Sequence, residues 1–181
     1  TESGGASSTI SSAELTKVSP FGGTIYGSGM FKDPNGEEWL LVATSTDIYR
    51  TRANNHAVAL PDPESITLAA DVVFVQCFHV MIMFRGVDEV PLAMTNINEG
   101  FKSIVQVPSD TGLDENDSDG TEDIPNAANG IFFGNRLVVP YSGDLVAVSD
   151  YLNYTRFQPV LSTFRINQGS DDDLVALWKF D

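Results

Sequence analysis

Short apolar runs separated by turn residues dominate the chain from Phe21 onward. Runs rich in Val, Ile, Phe and Tyr alternate with Gly, Asn, Asp and Pro, which is typical of β-strands joined by tight turns. GTIYGSGMF, EEWLLVATS and DIYRTR predict three successive strands, and DPNG at Asp33–Gly36 predicts a tight turn between the first two. The N-terminal SSAELTKV has helical character but is too short to be stable alone. The pattern therefore predicts an all-β protein.

Three segments resemble one another at a spacing of roughly fifty residues. They are LLVATSTDIYRTRANNHAV, VPLAMTNINEGFKSIVQV and LVAVSDYLNYTRFQPV. In each, an apolar strand ends at a hydroxylated residue (Ser45, Thr95 or Ser149), and a polar stretch leads to an aromatic and basic pair in the next strand. Matching hairpins, with predicted turns at Gln76–Cys77 and Gly134–Asn135, precede the second and third segments.

A repeat of this length is typical of β-propeller blades, which have four antiparallel strands each. We predict antiparallel meander blades of a partial β-propeller, with a β-sandwich as the alternative. Residues 1–20 are predicted to be a flexible N-terminal arm, and residues 21–181 a β-domain of about three blades with an acidic loop at 110–126. Because known propellers close with roughly four to eight blades, we expect copies of the chain, or the rest of its own parent chain, to complete the sheets.

Composition and charge remove several classes of function. Hydrophobic residues make up 42% of the chain, enough for a core, but no stretch approaches the roughly 20 apolar residues of a membrane helix. A net charge of −15 disfavours general binding to nucleic acid. One cysteine excludes an internal disulfide and, with two histidines, leaves too few ligands for a zinc site rich in Cys or His.

The acidic loop TGLDENDSDGTEDIPN resembles a calcium-binding loop in part. Its oxygen-bearing side chains alternate around a glycine, as calcium loops require, but Asn126 stands where a bidentate Glu is needed and no helices flank the loop. A solvated insertion between blades is the simpler interpretation. The calcium candidates are Glu115, Asp117, Asp119 and Asp123.

Nucleophilic residues lack a catalytic setting. Cys77 and His79 alternate along an apolar run, and we expect both to be buried in a sheet rather than to react. Ser149–Asp150 is not part of a G-x-S-x-G turn. Trp39 and Trp178 lie in apolar strands and are predicted to pack in the core. We therefore predict no catalytic residue, no cofactor and no enzymatic activity.

The segment from Gly130 to Phe180 resembles a repeat found in structural proteins of tailed bacteriophages, particularly the tail tubular and nozzle proteins of short-tailed phages. The resemblance covers little more than a quarter of the chain. The positions that match are Arg136–Leu137, Ser149–Asp150, Asn153, Thr155–Arg156–Phe157, Ile166, Gly169 and Asp171–Asp172.

These residue types explain their own recurrence as a structural motif. Ser149–Asp150 can bond the turn backbone after a strand, and Asn153 and Thr155 can continue the turn. Arg156 can then pair with Asp150, and Phe157 re-enters the core. We expect this motif to fasten one blade to the next without catalytic chemistry.

The resemblance implies a non-enzymatic component of the virion tail that contributes to assembly and to the conduit through which DNA is ejected. Its expected partners are other tail proteins, with transient passage of DNA and no sequence-specific binding. A negative lumen would repel DNA and keep it from sticking. Two alternatives stay open: a carbohydrate-binding or carbohydrate-cleaving propeller that recognises a host receptor, and a calcium-dependent adhesive β-domain.

Overall fold

The protein is all-β. The computed structural model describes residues 21–52, 56–62, 65–68, 71–104, 124–157, 163–166, 174 and 176–177, which contain twelve strands and no helix. The predicted N-terminal arm, the four calcium candidates, Gly169, Asp171–Asp172 and Trp178 lie outside the described residues.

The strands form three four-stranded antiparallel sheets, each a meander in chain order. Sheet 1 contains β1 (Ile25–Lys32), β2 (Glu38–Thr44), β3 (Ile48–Thr51) and β4 (Val58–Ala59). Sheet 2 contains β5 (Val73–Cys77), β6 (Val80–Phe84), β7 (Leu92–Met94) and β8 (Lys102–Ser103). Sheet 3 contains β9 (Ile131–Phe133), β10 (Arg136–Ser142), β11 (Leu145–Val148) and β12 (Thr163–Arg165).

Local turn chemistry joins the strands. The predicted DPNG turn is confirmed: the Asp33 carboxylate accepts hydrogen bonds from the backbone N–H groups of Asn35 and Glu37, both at 2.9 Å. The predicted Gly134–Asn135 turn is also confirmed, with φ values of 57° and 61°. The turn predicted at Gln76–Cys77 was placed wrongly, because β5 continues through Cys77 and the chain reverses at Phe78–His79.

Sheet 2 lies between the other two sheets. One hydrophobic cluster joins Phe31 and Leu41 of sheet 1 to Met81, Met83 and other residues of sheet 2. A second cluster joins the opposite face of sheet 2 to sheet 3. All five residues of β6 are therefore buried. We call the face of each sheet that points toward the next sheet in the chain its leading face, and the opposite face its trailing face.

The first strands of successive sheets contact each other, β1 with β5 and β5 with β9, as neighbouring blades do. Glycines permit the approach of β1 to β5. A Cβ at Gly27 would clash with the carbonyl oxygen of Val72, and a Cβ at Gly29 would lie 2.6 Å from Cβ of Phe74. The glycines of the GSG run thus set the spacing between sheets 1 and 2.

The sequence repeat is displaced by one strand in sheet 1. The polar turn shared by the three segments follows the second strand of sheet 1 but the third strand of sheets 2 and 3. In sheet 1, the buried hydroxyl is that of Thr44, whose Oγ1 accepts hydrogen bonds from the N–H groups of Thr46 and Asp47, whereas Ser45 is exposed. The segments therefore share turn chemistry rather than an identical place in the sheet.

Candidate assembly surface

The leading face of sheet 3 is apolar and partly exposed. Leu137, Val139 and Ala147 point to the trailing side, where they belong to the cluster shared with sheet 2. Successive side chains of a strand point to opposite faces. The residues that alternate with these along β10 and β11, and those paired with them across the sheet, therefore line the leading face: Ile131, Phe133, Arg136, Val138, Pro140, Val146, Val148 and Phe164.

Two phenylalanines make this face conspicuous. Phe133 is 62% exposed and Phe164 is 52% exposed. Phe164 pairs with Val146, which in turn pairs with Pro140, so an apolar row crosses three strands. Val146 belongs to neither hydrophobic cluster because it points away from sheet 2, but it is only 1% exposed, so the centre of this face is already covered within the chain.

The trailing face of sheet 1 is the opposite end of the stack. Met30 and Leu40 pair with each other on this face, and Val42 lies two residues further along β2. Met30 is 57% exposed, and Val42 is buried outside both clusters. Tyr49, which pairs with Val42 and packs edge-on against Phe21, also lies on this face, together with Ser28 and Thr51.

The structure brings most of the predicted structural motif together in one loop after β11. The backbone N–H of Asp150 donates to the carbonyl of Arg156 (2.9 Å), and the Asp150 carboxylate lies 3.4 Å from Nε of Arg156. The Asn153 side-chain oxygen accepts hydrogen bonds from both the N–H and the hydroxyl of Thr155. Phe157 is buried in the cluster between sheets 2 and 3.

Ser149 and Arg136 anchor this loop to β10. The buried Ser149 hydroxyl accepts a hydrogen bond from the N–H of Leu137 (2.8 Å), and a guanidinium nitrogen of Arg136 donates to the carbonyl of Ser149 (2.8 Å). Arg136 also lies over the ring of Tyr151 at 5.7 Å. These polar contacts join parts of sheet 3, whereas Leu137 and Phe157, the two apolar residues named here, pack into the cluster shared with sheet 2.

Arg50 makes a polar link between sheets. In the sequence it is the basic member of the aromatic and basic pair in the first repeated segment. Its Nη1 donates to the carbonyl of Ile97 (2.6 Å) and to the side-chain oxygen of Asn98 (2.8 Å). Arg50 belongs to β3 of sheet 1, and its acceptors belong to the β7–β8 connection of sheet 2. Nothing in the local sequence marks this partner.

Trp39 lies at the outer part of the interface between sheets 1 and 2. Arg50 and Arg52 stand over its ring, at 5.4 Å and 4.9 Å from the centroid, and Arg52 also pairs with Glu37. An open pocket of about 330 Å³ is lined by Trp39, the two arginines and His56, among other residues. The indole is partly buried against the core, as predicted for packing.

Cys77 and His79 do not share a face of a strand. Cys77 is fully buried at the end of β5, as predicted, but His79 is exposed in the turn, so the prediction that both are buried was wrong for the histidine. Burial raises the pKa of the Cys77 thiol to about 12. Burial also raises the pKa of Tyr154, with a smaller effect of the neighbouring Cys77. A protonated, enclosed thiol is a poor nucleophile.

A second cavity, of about 200 Å³, lies between the β2–β3 turn and residues 60–62 and 66–68. Its two carboxylates have structural partners: Asp62 accepts the backbone N–H of Ile66 on both oxygens, and Asp47 faces the hydroxyl of Tyr49 at 3.4 Å. The described residues hold no group of three or more His, Cys, Asp or Glu side chains able to bind a metal ion. Within the same residues, no helix has the length and apolarity to cross a membrane.

Comparisons of the chain with protein-family models, with curated proteins and with solved structures find no match. The site is therefore defined by its own geometry: an apolar leading face on sheet 3, a smaller apolar trailing face on sheet 1, and polar loops that hold the sheets in place. The sequence signal for this face is the pair of apolar runs IFF and LVVP in NGIFFGNRLVVP, which do not reveal what covers it.

Proposed function

We propose that this protein is a non-enzymatic structural component of a bacteriophage tail, of the nozzle or tail-tube type, that contributes to assembly and to the DNA ejection conduit. One observation carries the proposal: a stack of three sheets is covered on both faces in its middle and presents an apolar leading face at sheet 3. Phe133 and Phe164 are exposed on the two edge strands of this face, where a neighbouring protein can pack against them. The resemblance of Gly130–Phe180 to phage tail repeats supplies the biological setting.

The polar residues of the motif support a scaffolding role. The side chains of Ser149 and Arg136 form hydrogen bonds that hold the loop after β11 against β10. The Asp150 carboxylate pairs with Arg156 within the same loop, so all three side chains are engaged in structural contacts. A group used in this way is not poised to exchange protons with a substrate. The motif thus stabilises the conformation of sheet 3 and its following loop, as a building block of a larger assembly requires.

Charge fits a conduit for DNA. The chain has a net charge of −15, and a negative wall repels the phosphate backbone, so that DNA slides without binding. The proposal requires most carboxylates to face the channel of the assembled particle. An assembled structure that places the carboxylates outside, with Lys and Arg toward the channel, would contradict this part of it.

Virion fractionation tests the assignment to the tail. Antibodies against the chain are applied to purified particles of the phage that encodes it, to tails detached from those particles and to the particle-free lysate. We expect the protein in particles and tails, and immunogold label at the end of the tail. Its absence from washed particles, with full recovery in the particle-free lysate, would refute a virion role.

Carbohydrate recognition is the second candidate, and the Trp39 pocket is the observation that favours it. The indole N–H is buried and has no hydrogen-bond partner among the described residues, so a ligand oxygen could accept its proton. Against it, Arg50 and Arg52 already stand over the ring that a sugar would stack on. Binding on a glycan array that is lost in Trp39→Phe, which keeps an aromatic ring but has no N–H, would favour recognition of carbohydrate at this pocket.

A further inference from the structure

The pocket at Trp39 gathers cationic side chains in a strongly acidic chain. The chain has 10 Lys and Arg residues against 25 Asp and Glu residues, with two histidines. Two arginines and one histidine line this single open pocket of about 330 Å³, and no carboxylate is among its described lining residues. The described lining residues are Trp39, Arg50, Thr51, Arg52, His56 and Val58. The charge at the pocket is therefore opposite to that of the chain as a whole.

Strand register brings the two arginines to one side of the indole. Arg50 of β3 pairs with Leu41 of β2, and Trp39 and Arg52 each lie two residues away from that pair, on the same face of sheet 1. The guanidinium groups of Arg50 and Arg52 stand 5.4 Å and 4.9 Å from the centroid of the ring. The ring attracts each cation, but two like charges this close also repel each other. An anion bound beside them would relieve that repulsion.

Of the two guanidinium groups, that of Arg50 has no carboxylate partner among the described residues. Its Nη1 donates to the carbonyl of Ile97 (2.6 Å) and to the side-chain oxygen of Asn98 (2.8 Å), which are both neutral acceptors. A guanidinium has five N–H groups, so those on Nε and Nη2 are not used in these two bonds. Arg52, by contrast, forms an ion pair with Glu37. The pocket thus has one arginine charge that its own surroundings leave unneutralised.

The indole of Trp39 adds a neutral donor to the same pocket. Its Nε1 is buried and has no hydrogen-bond acceptor among the described residues. A buried donor without an acceptor costs free energy, which a ligand oxygen that reached it would recover. A ligand that satisfied both this N–H and Arg50 would need at least two acceptor oxygens.

We infer that this pocket binds a small ligand through a single carboxylate group. The planar guanidinium of Arg50 matches the two oxygens of a carboxylate. One unneutralised charge favours a monoanion, and the net charge of −15 opposes a more highly charged ligand such as inorganic phosphate. The volume is at the lower end of the range for ligand pockets, so we expect a ligand of the size of one sugar or amino-acid unit. The inference goes beyond the tail assignment and does not rest on it.

Proton–nitrogen NMR spectra of the full chain test the inference. The chain has two tryptophans, so Trp39→Phe identifies the indole resonance of Trp39 by its loss. Glucuronate and N-acetylglycine present a carboxylate on a sugar and on a peptide terminus, whereas glucose has no charge. We expect both carboxylates to shift the resonance saturably, with dissociation constants in the millimolar range because the site is open to solvent. The tighter of the two identifies the source of the ligand, and glucose should leave the resonance in place.

Charge variants separate binding at the pocket from general attraction of anions. Arg50→Gln should weaken carboxylate binding about tenfold or more, because it removes charged hydrogen bonds to the ligand. Lys32→Gln, on the face of sheet 1 opposite to Trp39, changes the net charge equally and should bind as the unmodified chain does. Glu37→Gln releases Arg52 from its ion pair and should tighten binding about two- to fivefold. Loss of folding cannot produce such a gain.

Several results would overturn the inference. They are an unmoved Trp39 resonance with both carboxylates, equal binding of glucose, tighter binding of inorganic phosphate, and unchanged binding in Arg50→Gln. Circular dichroism establishes that each variant folds. If Arg50→Gln does not, Arg50→Lys takes its place and should also bind more weakly, because lysine keeps the charge but not the planar pair of donors.

This result is independent of virion fractionation. A chain that binds carboxylates but is absent from particles would refute the tail assignment and leave the pocket standing. A chain found in tails that binds neither carboxylate would refute the pocket and leave the tail assignment standing.

Discussion

Sheets 2 and 3 are built alike but are used differently. Each is a four-stranded antiparallel meander, and the second strand of each, β6 or β10, is rich in apolar residues. In sheet 2, both faces are covered and every residue of β6 is buried. In sheet 3, the trailing face packs on sheet 2, while Phe133 and Phe164 on the leading face remain more than half exposed.

The difference shows that burial is decided here by neighbours and not by the strands themselves. NGIFFGNRLVVP and VMIMF both contain continuous apolar runs and both form regular strands. Every residue of VMIMF is buried, whereas Phe133 of the first segment is 62% exposed to solvent. The same substitution should therefore have different costs in the two sheets.

Truncation of a side chain in the covered sheet should be the most damaging. Ile82→Ala removes a fully buried side chain from the cluster between sheets 2 and 3, and we expect it to lower the free energy of unfolding by about 2–5 kcal/mol. Phe164→Ala, at a side chain that is 52% exposed, should change it by about 0.5 kcal/mol or less. Urea denaturation of both variants measures the contrast. Equal losses would mean that sheet 3 is covered on both faces.

Adding a methyl group between sheets 1 and 2 should have the next largest effect. Gly27→Ala places a Cβ against the carbonyl of Val72, and the strands must separate to admit it, which should cost about 1–3 kcal/mol. Ser28→Ala, one residue along β1 at an exposed position, is the control and should be nearly neutral. Thermal unfolding compares the two, and an unaffected midpoint in Gly27→Ala would show that β1 and β5 are not tightly packed.

Two arginines that share one tryptophan separate an interface contact from a surface contact. Arg50→Gln removes charged hydrogen bonds to Ile97 and Asn98 of the neighbouring sheet and should cost about 1.5 kcal/mol or more. Arg52→Gln removes an exposed ion pair with Glu37 and should cost less than about 1 kcal/mol. Both variants lose one cation over Trp39, so the difference in urea denaturation reports the link between sheets.

The buried thiol gives a pH-dependent measure of the interface between sheets 2 and 3. The pKa of Cys77 is about 12 in the folded chain, against 9.0 for the free group. The unfolded chain therefore loses this proton first, so the stabilising contribution is complete below pH 9 and is lost as the pH rises from 9 toward 12. We expect the free energy of unfolding to fall by about 1 kcal/mol between pH 8 and 10 because of this group.

Cys77→Ala isolates that contribution. The variant is less stable overall but should lack the thiol's share of the alkaline loss, while the raised pKa of Tyr154 adds a loss in the same direction to both proteins. In the unmodified chain, Cys77 should react with a disulfide reagent at pH 8 only as fast as the protein unfolds. Rapid labelling under native conditions would mean that the interface opens.

Local features of the fold could be predicted from the sequence, and contacts between sheets could not. The all-β class, the DPNG turn and the Gly134–Asn135 turn follow from strand propensity and glycine chemistry within a few residues. The turn at Phe78–His79 was missed because Phe78 adopts a φ of 54° without a glycine to mark it. The reach of Arg50 to Asn98 was equally invisible, since it depends on how two sheets stack.

The repeat was a useful guide and also a misleading one. Similar polar turns predicted similar sheets, and three sheets are present, but the turn after β2 occupies a different place in its meander from those after β7 and β11. Hydrogen bonding at a strand end selects Ser, Thr and Asp wherever a strand ends, irrespective of which strand it is. Sequence similarity of this kind reports turn chemistry before it reports topology.

Because every paired strand in the described sheets is a neighbour in sequence, the molecule can be built in the order in which it is synthesised. Short-range pairing closes small loops quickly, so each meander can zip up as it leaves the ribosome, before the next is made. Sheet 2 is then complete before both of its faces are buried. One face of β6 packs on sheet 1, which is made earlier, and the other is buried only after sheet 3 has been synthesised. During that interval the apolar face of sheet 2 that sheet 3 later covers is exposed to solvent. Chaperone binding or fast translation would then protect the nascent chain from aggregation through this face.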